Sequence, residues 1–214
     1  ATISVPQDHL TTIAGTLYEL GVIDDAAGGP VSGVMFERHI NSIASAYFLA
    51  LSEKVGLHDR LLSSPSRRLL LGWLVESHHF IASAASYMSV AISIAPSART
   101  RMILSDYLAT EFWHGAWVSK GLLAAGLTSQ ELTDAPLLPG TLAVTNSLRV
   151  LAASDFYSYV ACLCLHESAA IEGVEEAAVG FWSAITASDI LPETVIHPFR
   201  EHHLDQKAIT RHDF

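Results

Sequence analysis

The amino-acid sequence predicts an all-α fold, a single domain over residues 1–214 built from seven or eight helices. Three observations predict it. Apolar residues recur at helical spacing along almost the whole chain, runs rich in β-formers are short, and no alternating segments are joined by a hairpin signal such as Asn-Gly. Half of the 214 residues are hydrophobic, enough for one core without disulfides or a structural metal.

Start and stop signals place the elements in order. A short first helix is expected over about 8–20, stopped at Gly21. A longer one, about 31–55, follows the Gly28-Gly29-Pro30 break and ends near Gly56. Ser66 offers an N-cap oxygen to a third, about 66–94, which Pro96 closes. A fourth runs about 97–125, with Gly126 suited to cap its C-terminus. The loop with Pro136, Pro139 and Gly140 leads to helices at about 141–153 and 155–172. Two more, about 174–187 and 195–212, are separated by Pro192. Trp73, Trp113 and Trp117, with Tyr87, Tyr107 and Tyr157, are assigned mainly to the core.

Charge and cysteine usage narrow the function. Twelve Lys and Arg against 22 Asp and Glu leave −10, which argues against an electrostatic grip on nucleic acid or an anionic membrane. No apolar run approaches a bilayer span. The residues ATISVPQDHL carry no basic stretch followed by an apolar one, so no secretory signal is expected. Cys162 and Cys164, two apart on a helix, face different directions and cannot bridge each other. These features together predict a cytoplasmic protein.

The chemistry lies where polar residues interrupt stripes that should face the core. In the third helix the stripe reads Leu69, Trp73, Glu76, Phe80, Ser83, Tyr87, with Glu76 at an apolar position. In the fourth it reads Leu104, Tyr107 or Leu108, Glu111, His114, Val118, Leu122, and Glu111 and His114 are neighbours three apart. In the helix of 155–172, Glu167 follows Phe156, Val160 and Leu163. In the last, Phe199, His202, Asp205 or Gln206, and Ile209 share a face. Four helices therefore each aim an acid, a histidine or both inward.

Burying a carboxylate without a partner costs several kcal/mol, on the order of a domain's whole stability margin. None of the twelve basic residues falls on these stripes near the acids. Divalent metal resolves the conflict: Glu76, Glu111, Glu167 and Asp205 match two M²⁺ ions in charge, and His114 and His202 complete a set of four carboxylates and two histidines. The competing reading of Glu111 and His114 is a hydrogen-bonded core pair. His79 is a further candidate ligand or outer partner, with a packing role as its alternative. No glycine-rich nucleotide loop, P-loop or Gly-x-Ser-x-Gly elbow is present.

This pattern resembles the heme-oxygenase-like di-iron oxidases and oxygenases, which share their fold with heme oxygenase and the TenA thiaminases. The resemblance covers about 66–212. LLLGWLVESHHFIASAASYMSVAI is similar to the first-acid helix, with Glu76 at the acid position. LATEFWHGAWVSKGLLAAGLTSQEL sets Glu111 and His114 on the Glu…His pair, and LPGTLAVTNSLRVLAASDFYSYVACLCLHESAA sets Glu167 at the bridging acid. FREHHLDQKA resembles the last-helix motif. The family places an aspartate four residues after that histidine and a second histidine three further on. Here those positions hold Gln206 and Ile209, and Asp205 stands one residue early.

The resemblance implies two Fe(II) per chain, O₂ as co-substrate, a small or lipophilic substrate, room for an external electron donor, and a homodimer. The outcomes it spans are oxidative decarboxylation, C–C cleavage, desaturation and N-oxygenation. Arg38, Lys120, Arg149 and Arg200 are the cations available to a carboxylate substrate, each also suited to surface ion pairing. Two alternatives stay open: a metal-free TenA-like hydrolase or cofactor-binding protein on the same fold, and a non-catalytic metal-binding helical protein. Pro198 is expected to begin a helix rather than lie within one.

Overall fold

The computed structural model describes residues 56–167 and 174–205, with side chains except at 58, 164–167, 174–177 and 205. Eight helices joined by short connections make up these residues, with no strand among them. The helices are α1 (Leu57–Ser63), α2 (Arg67–Ile94), α3 (Ala98–Ala124), α4 (Ser129–Asp134), α5 (Pro139–Ser154), α6 (Phe156–Glu167), α7 (Val174–Ala187) and α8 (Glu193–Asp205). The helices expected over 8–20 and 31–55, and the ends of those expected over 155–172 and 195–212, lie outside the described residues.

Capping chemistry sets the ends of the two long helices. The Ser66 and Ser97 side chains accept the N–H groups of Leu69 and Thr100, satisfying donors that the first turn leaves open. At the other end of α3, Gly126 has φ +97°, where a side chain would be strained. Leu127 N–H donates to Leu122 C=O at 3.3 Å and Gly126 N–H to Leu123 C=O at 3.0 Å, a Schellman closure. Helix α4 was not expected. Its six residues are too short for a periodic signal, and a capping box of Thr128 and Glu131 specifies it instead. Helix α1, with seven residues, was missed for the same reason of length.

Two apolar clusters fill the interior. One joins Leu70, Leu74 and Ile81 of α2 to Val118 and Leu122 of α3, Trp182 and Ile185 of α7, and Val195, Ile196 and Phe199 of α8. The other joins Ala84, Tyr87, Met88 and Ala91 of α2 to Leu104 and Tyr107 of α3, Leu148 of α5, and Phe156, Tyr159 and Leu163 of α6. Along α2 the boundary falls between Ile81 and Ala84, and along α3 between Tyr107 and Val118. Glu111 lies in that seam.

Close helix approach depends on two glycines of α3. A Cβ at Gly115 would stand 3.0 Å from the Ala82 Cα of α2. One at Gly121 would stand 2.7 Å from the Val195 carbonyl oxygen of α8 and 3.4 Å from the Pro198 ring. Helix α8 starts at Glu193 and runs through Pro198, correcting the expectation that a helix begins there. Proline removes one internal hydrogen bond. The buried face of Val195, Ile196, Phe199 and Pro198 itself outweighs that loss.

Of the expected stripe of α3, Leu104, Tyr107, Glu111, Val118 and Leu122 are buried and His114 is partly buried. That of α2 is rotated by about one residue, roughly 100°, to Leu70, Leu74, Ile81, Ala84, Met88 and Ala91, while Tyr87 of the expected stripe is also buried. Trp113 and Tyr157, assigned to the core, are 68% and 71% exposed. Trp113 is two positions beyond Glu111, about 200° round the helix, so a buried Glu111 turns it outward.

Candidate metal centre

Three of the sequence-derived candidates come together. Glu111 and His114 stand on the inner face of α3, and His202 reaches them from α8, the helix that Gly121 lets close to α3. One ligand atom from each lies within 4.8 Å of the others. His114 Nδ1 is 3.0 Å from Glu111 Oε2, and His202 Nε2 is 3.8 Å from the same oxygen. The two imidazoles meet edge to face with centroids 4.6 Å apart. Glu111 and His202 are both 5% exposed, and the His114 side chain 14%. His114 is therefore the member nearest solvent, with Trp117 beside it at 6.2 Å.

Electrostatics fix the charge of the carboxylate. Burial pushes the Glu111 pKa up, but hydrogen bonding toward His114 and then His202, with the attraction of both imidazoles, outweighs burial and holds it at about 2. Glu111 is thus an anion at neutral pH. A carboxylate accepts only, so His114 Nδ1 carries the proton it shares with Oε2.

Two atoms of the group make no close hydrogen bond, although His202 Nε2 stands 3.8 Å from Glu111 Oε2. Glu111 Oε1 and His202 Nε2 are buried and make no hydrogen bond. Such orphans are costly in an interior unless an ion or a water serves them. A cavity of about 20 Å³ lies against Glu111 and His202, walled by Phe80, Ile81, Ala84, Met88, Leu148 and Leu163 with two tyrosines. That is room for one ion or one water. The donor set, a carboxylate and two imidazoles, suits a first-row transition metal such as Fe(II) and leaves coordination positions open. The residues therefore fit a metal ion.

The other candidates are placed differently. The Glu76 carboxylate accepts the Leu138 N–H with both oxygens, at 3.1 and 3.2 Å, and is not in the three-residue group. It ties α2 to the start of α5, a consequence of the rotated α2 stripe. Glu167 ends α6 and Asp205 ends α8, and their side chains lie outside those described. His79 is also outside the group. It packs its ring 5.5 Å from His78, whose Nε2 is 2.8 Å from Ser119 Oγ. Burial and then His79 push the His78 pKa down.

His203, next to His202, sets its ring edge-on to Trp182 at 6.0 Å. Arg200 is bound to Glu193 at 2.6 Å and to Glu201 at 3.4 Å. Arg149 bonds to Ser86 and Asn146. The sequence reading missed Leu148 and Leu163 as walls of the cavity. They are ordinary apolar positions on α5 and α6, and only the packing of those helices onto α2 distinguishes them.

No family model and no solved structure matches the chain. A stretch of 29 residues is 62% identical to the plasmanylethanolamine desaturase of Myxococcus xanthus, covering 14% of this chain and 10% of that protein. The chain thus spans about a tenth of the length of the curated relative it matches. Among the described residues no helix is long and apolar enough to cross a membrane.

Proposed function

We propose that the chain is a non-heme iron oxidase or oxygenase that uses O₂ on a small or lipophilic metabolite, with Glu111, His114 and His202 holding iron. The observation that carries this reading is the pair of orphaned atoms, Glu111 Oε1 and His202 Nε2, buried against an ion-sized cavity. The short match to a protein named as a desaturase agrees with oxidative chemistry. The resemblance to the heme-oxygenase-like family adds a second iron, for which Glu76, Glu167 and Asp205 are the candidate acids. Glu76 would have to release the Leu138 N–H to take part.

Iron bound here supplies the electrons that activate O₂ toward a C–H, C–C or N–H bond. The chain does the rest. Glu111 provides a full negative charge, because its pKa of about 2 keeps it ionised. His114 offers Nδ1 only after its proton moves to Nε2, the ring atom away from Glu111, and His202 offers Nε2. The apolar wall excludes bulk water from the face of Glu111 and His202. The hydrolase alternative is disfavoured at Cys162. Burial raises its thiol pKa, the wrong direction for a nucleophile.

The test is anaerobic loading with Fe(II), metal analysis, and O₂ consumption in the presence of fatty and amino acids. Bound iron with O₂ uptake, both lost in Glu111→Gln, is expected. A folded protein that binds no iron would leave the hydrolase or binding alternatives.

A further inference from the structure

Helices α7 and α8 leave a groove between them with a volume of about 380 Å³. Its α8 walls, Arg200 and Leu204, stand two residues before and two after His202. Two residues are about 200° round a helix, so the groove lies on the face of α8 turned away from the metal-ligand group. Val179, Trp182 and Ala187 of α7, with Leu204, make most of its wall apolar. Among the described residues, Arg200 is the one charged side chain lining it. Glu193 holds the Arg200 Nη2 at 2.6 Å and Glu201 its Nε at 3.4 Å. His197 Nδ1 is a further neighbour of Nη2, at 3.3 Å. The two N–H donors of Nη1 make no hydrogen bond.

Charge and size select the occupant. Two carboxylates to one guanidinium leave a negative surplus at the mouth of the groove. A simple carboxylate would add to that surplus, and a simple amine would leave Nη1 unused. A molecule with a carboxylate and an ammonium side by side meets both requirements. The volume is near the lower end for small-molecule pockets, so it suits one ring or a short branched chain and not the paired chains of a lipid.

We propose that this groove binds a free α-amino acid with a large apolar side chain. The carboxylate accepts from Arg200 Nη1, the ammonium lies beside Glu201, and the side chain packs on Val179, Trp182 and Leu204. The site is separate from Glu111, His114 and His202 and needs no metal.

The experiment titrates the full iron-free chain, labelled with ¹⁵N at tryptophan, with L-phenylalanine and follows the indole N–H signals by nuclear magnetic resonance. Trp182 is the reporter, because it lines the groove and its Nε1 is buried without a hydrogen bond that could hold the signal fixed. Its signal, assigned with Trp182→Phe, is expected to shift to saturation while that of Trp113, exposed on α3, stays in place. Arg200→Gln should weaken binding at least about tenfold. Thr186→Trp, which fills the groove from an exposed position, should abolish it and decides the matter if Arg200→Gln fails to fold. 3-Phenylpropionate, without the ammonium, and phenethylamine, without the carboxylate, should each bind at least about tenfold more weakly than phenylalanine.

No shift of the Trp182 signal up to about 10 mM phenylalanine overturns the site. Equal affinity for the three compounds overturns it too, as does a shift that persists in Thr186→Trp. A shift lost in Glu111→Gln and kept in Arg200→Gln would put the amino acid at the metal centre, which also contradicts the proposal. Because the protein carries no iron throughout, failure of the iron reading leaves this test standing.

Discussion

Glu111 concentrates the physics of the site in one side chain. It is buried, ionised, and shared between two imidazoles from different helices. Its folded pKa of about 2 lies below the ordinary 4.5, so the stability it contributes is complete above pH 4.5 and is lost as pH falls from there toward 2. Urea unfolding of iron-free protein across that range should show the loss in the wild type, and Glu111→Gln should remove this component. An equal acid dependence in both would locate the effect elsewhere. Glu111 and His114 were legible because they broke an apolar stripe whose phase the sequence fixes firmly. Glu76 was read from a stripe whose phase it does not. The run from Leu69 to Val75 is apolar on nearly every side, so Leu69 and Trp73 competed evenly with Leu70 and Leu74 for the core. The true phase leaves Glu76 on the flank, where a backbone N–H of the α5 start takes its carboxylate.

Helix α3 is the element on which the site depends, because it carries Glu111 and His114 and receives α2 and α8 through glycines. Gly121→Ala should push α8 away and destabilise the protein by about 1–3 kcal/mol, since its Cβ would meet the Val195 carbonyl at 2.7 Å. The same variant should weaken metal binding by displacing His202, measurable as a higher Kd at unchanged stoichiometry. Replacing Thr128 by Ala in the capping box should cost only about 1 kcal/mol, with metal affinity unaltered. The long helices were readable from period, serine caps and the glycine at 126. The two short ones were not, although the Thr128-x-x-Glu131 pattern was available as a local signal. Tertiary packing also kept α8 intact through Pro198, which local rules alone placed at a helix start.

At the scale of the molecule, the site is a seam between two apolar clusters, closed by a group that binds α3 to α8. A ligand that bridges those helices binds only the folded state. Free metal at 100 times its Kd should therefore stabilise the protein by about 2.7 kcal/mol, seen as a rise in Tm that His202→Ala abolishes. The most direct measurement is a crystal of the full chain soaked anaerobically with Fe(II), with anomalous scattering collected at the iron edge. The account predicts a peak bonded to Glu111, His114 and His202, with a second peak nearby if Glu167 and Asp205 complete a pair. A protein that diffracts well and shows no iron at those three side chains, or iron only at surface histidines, would contradict it.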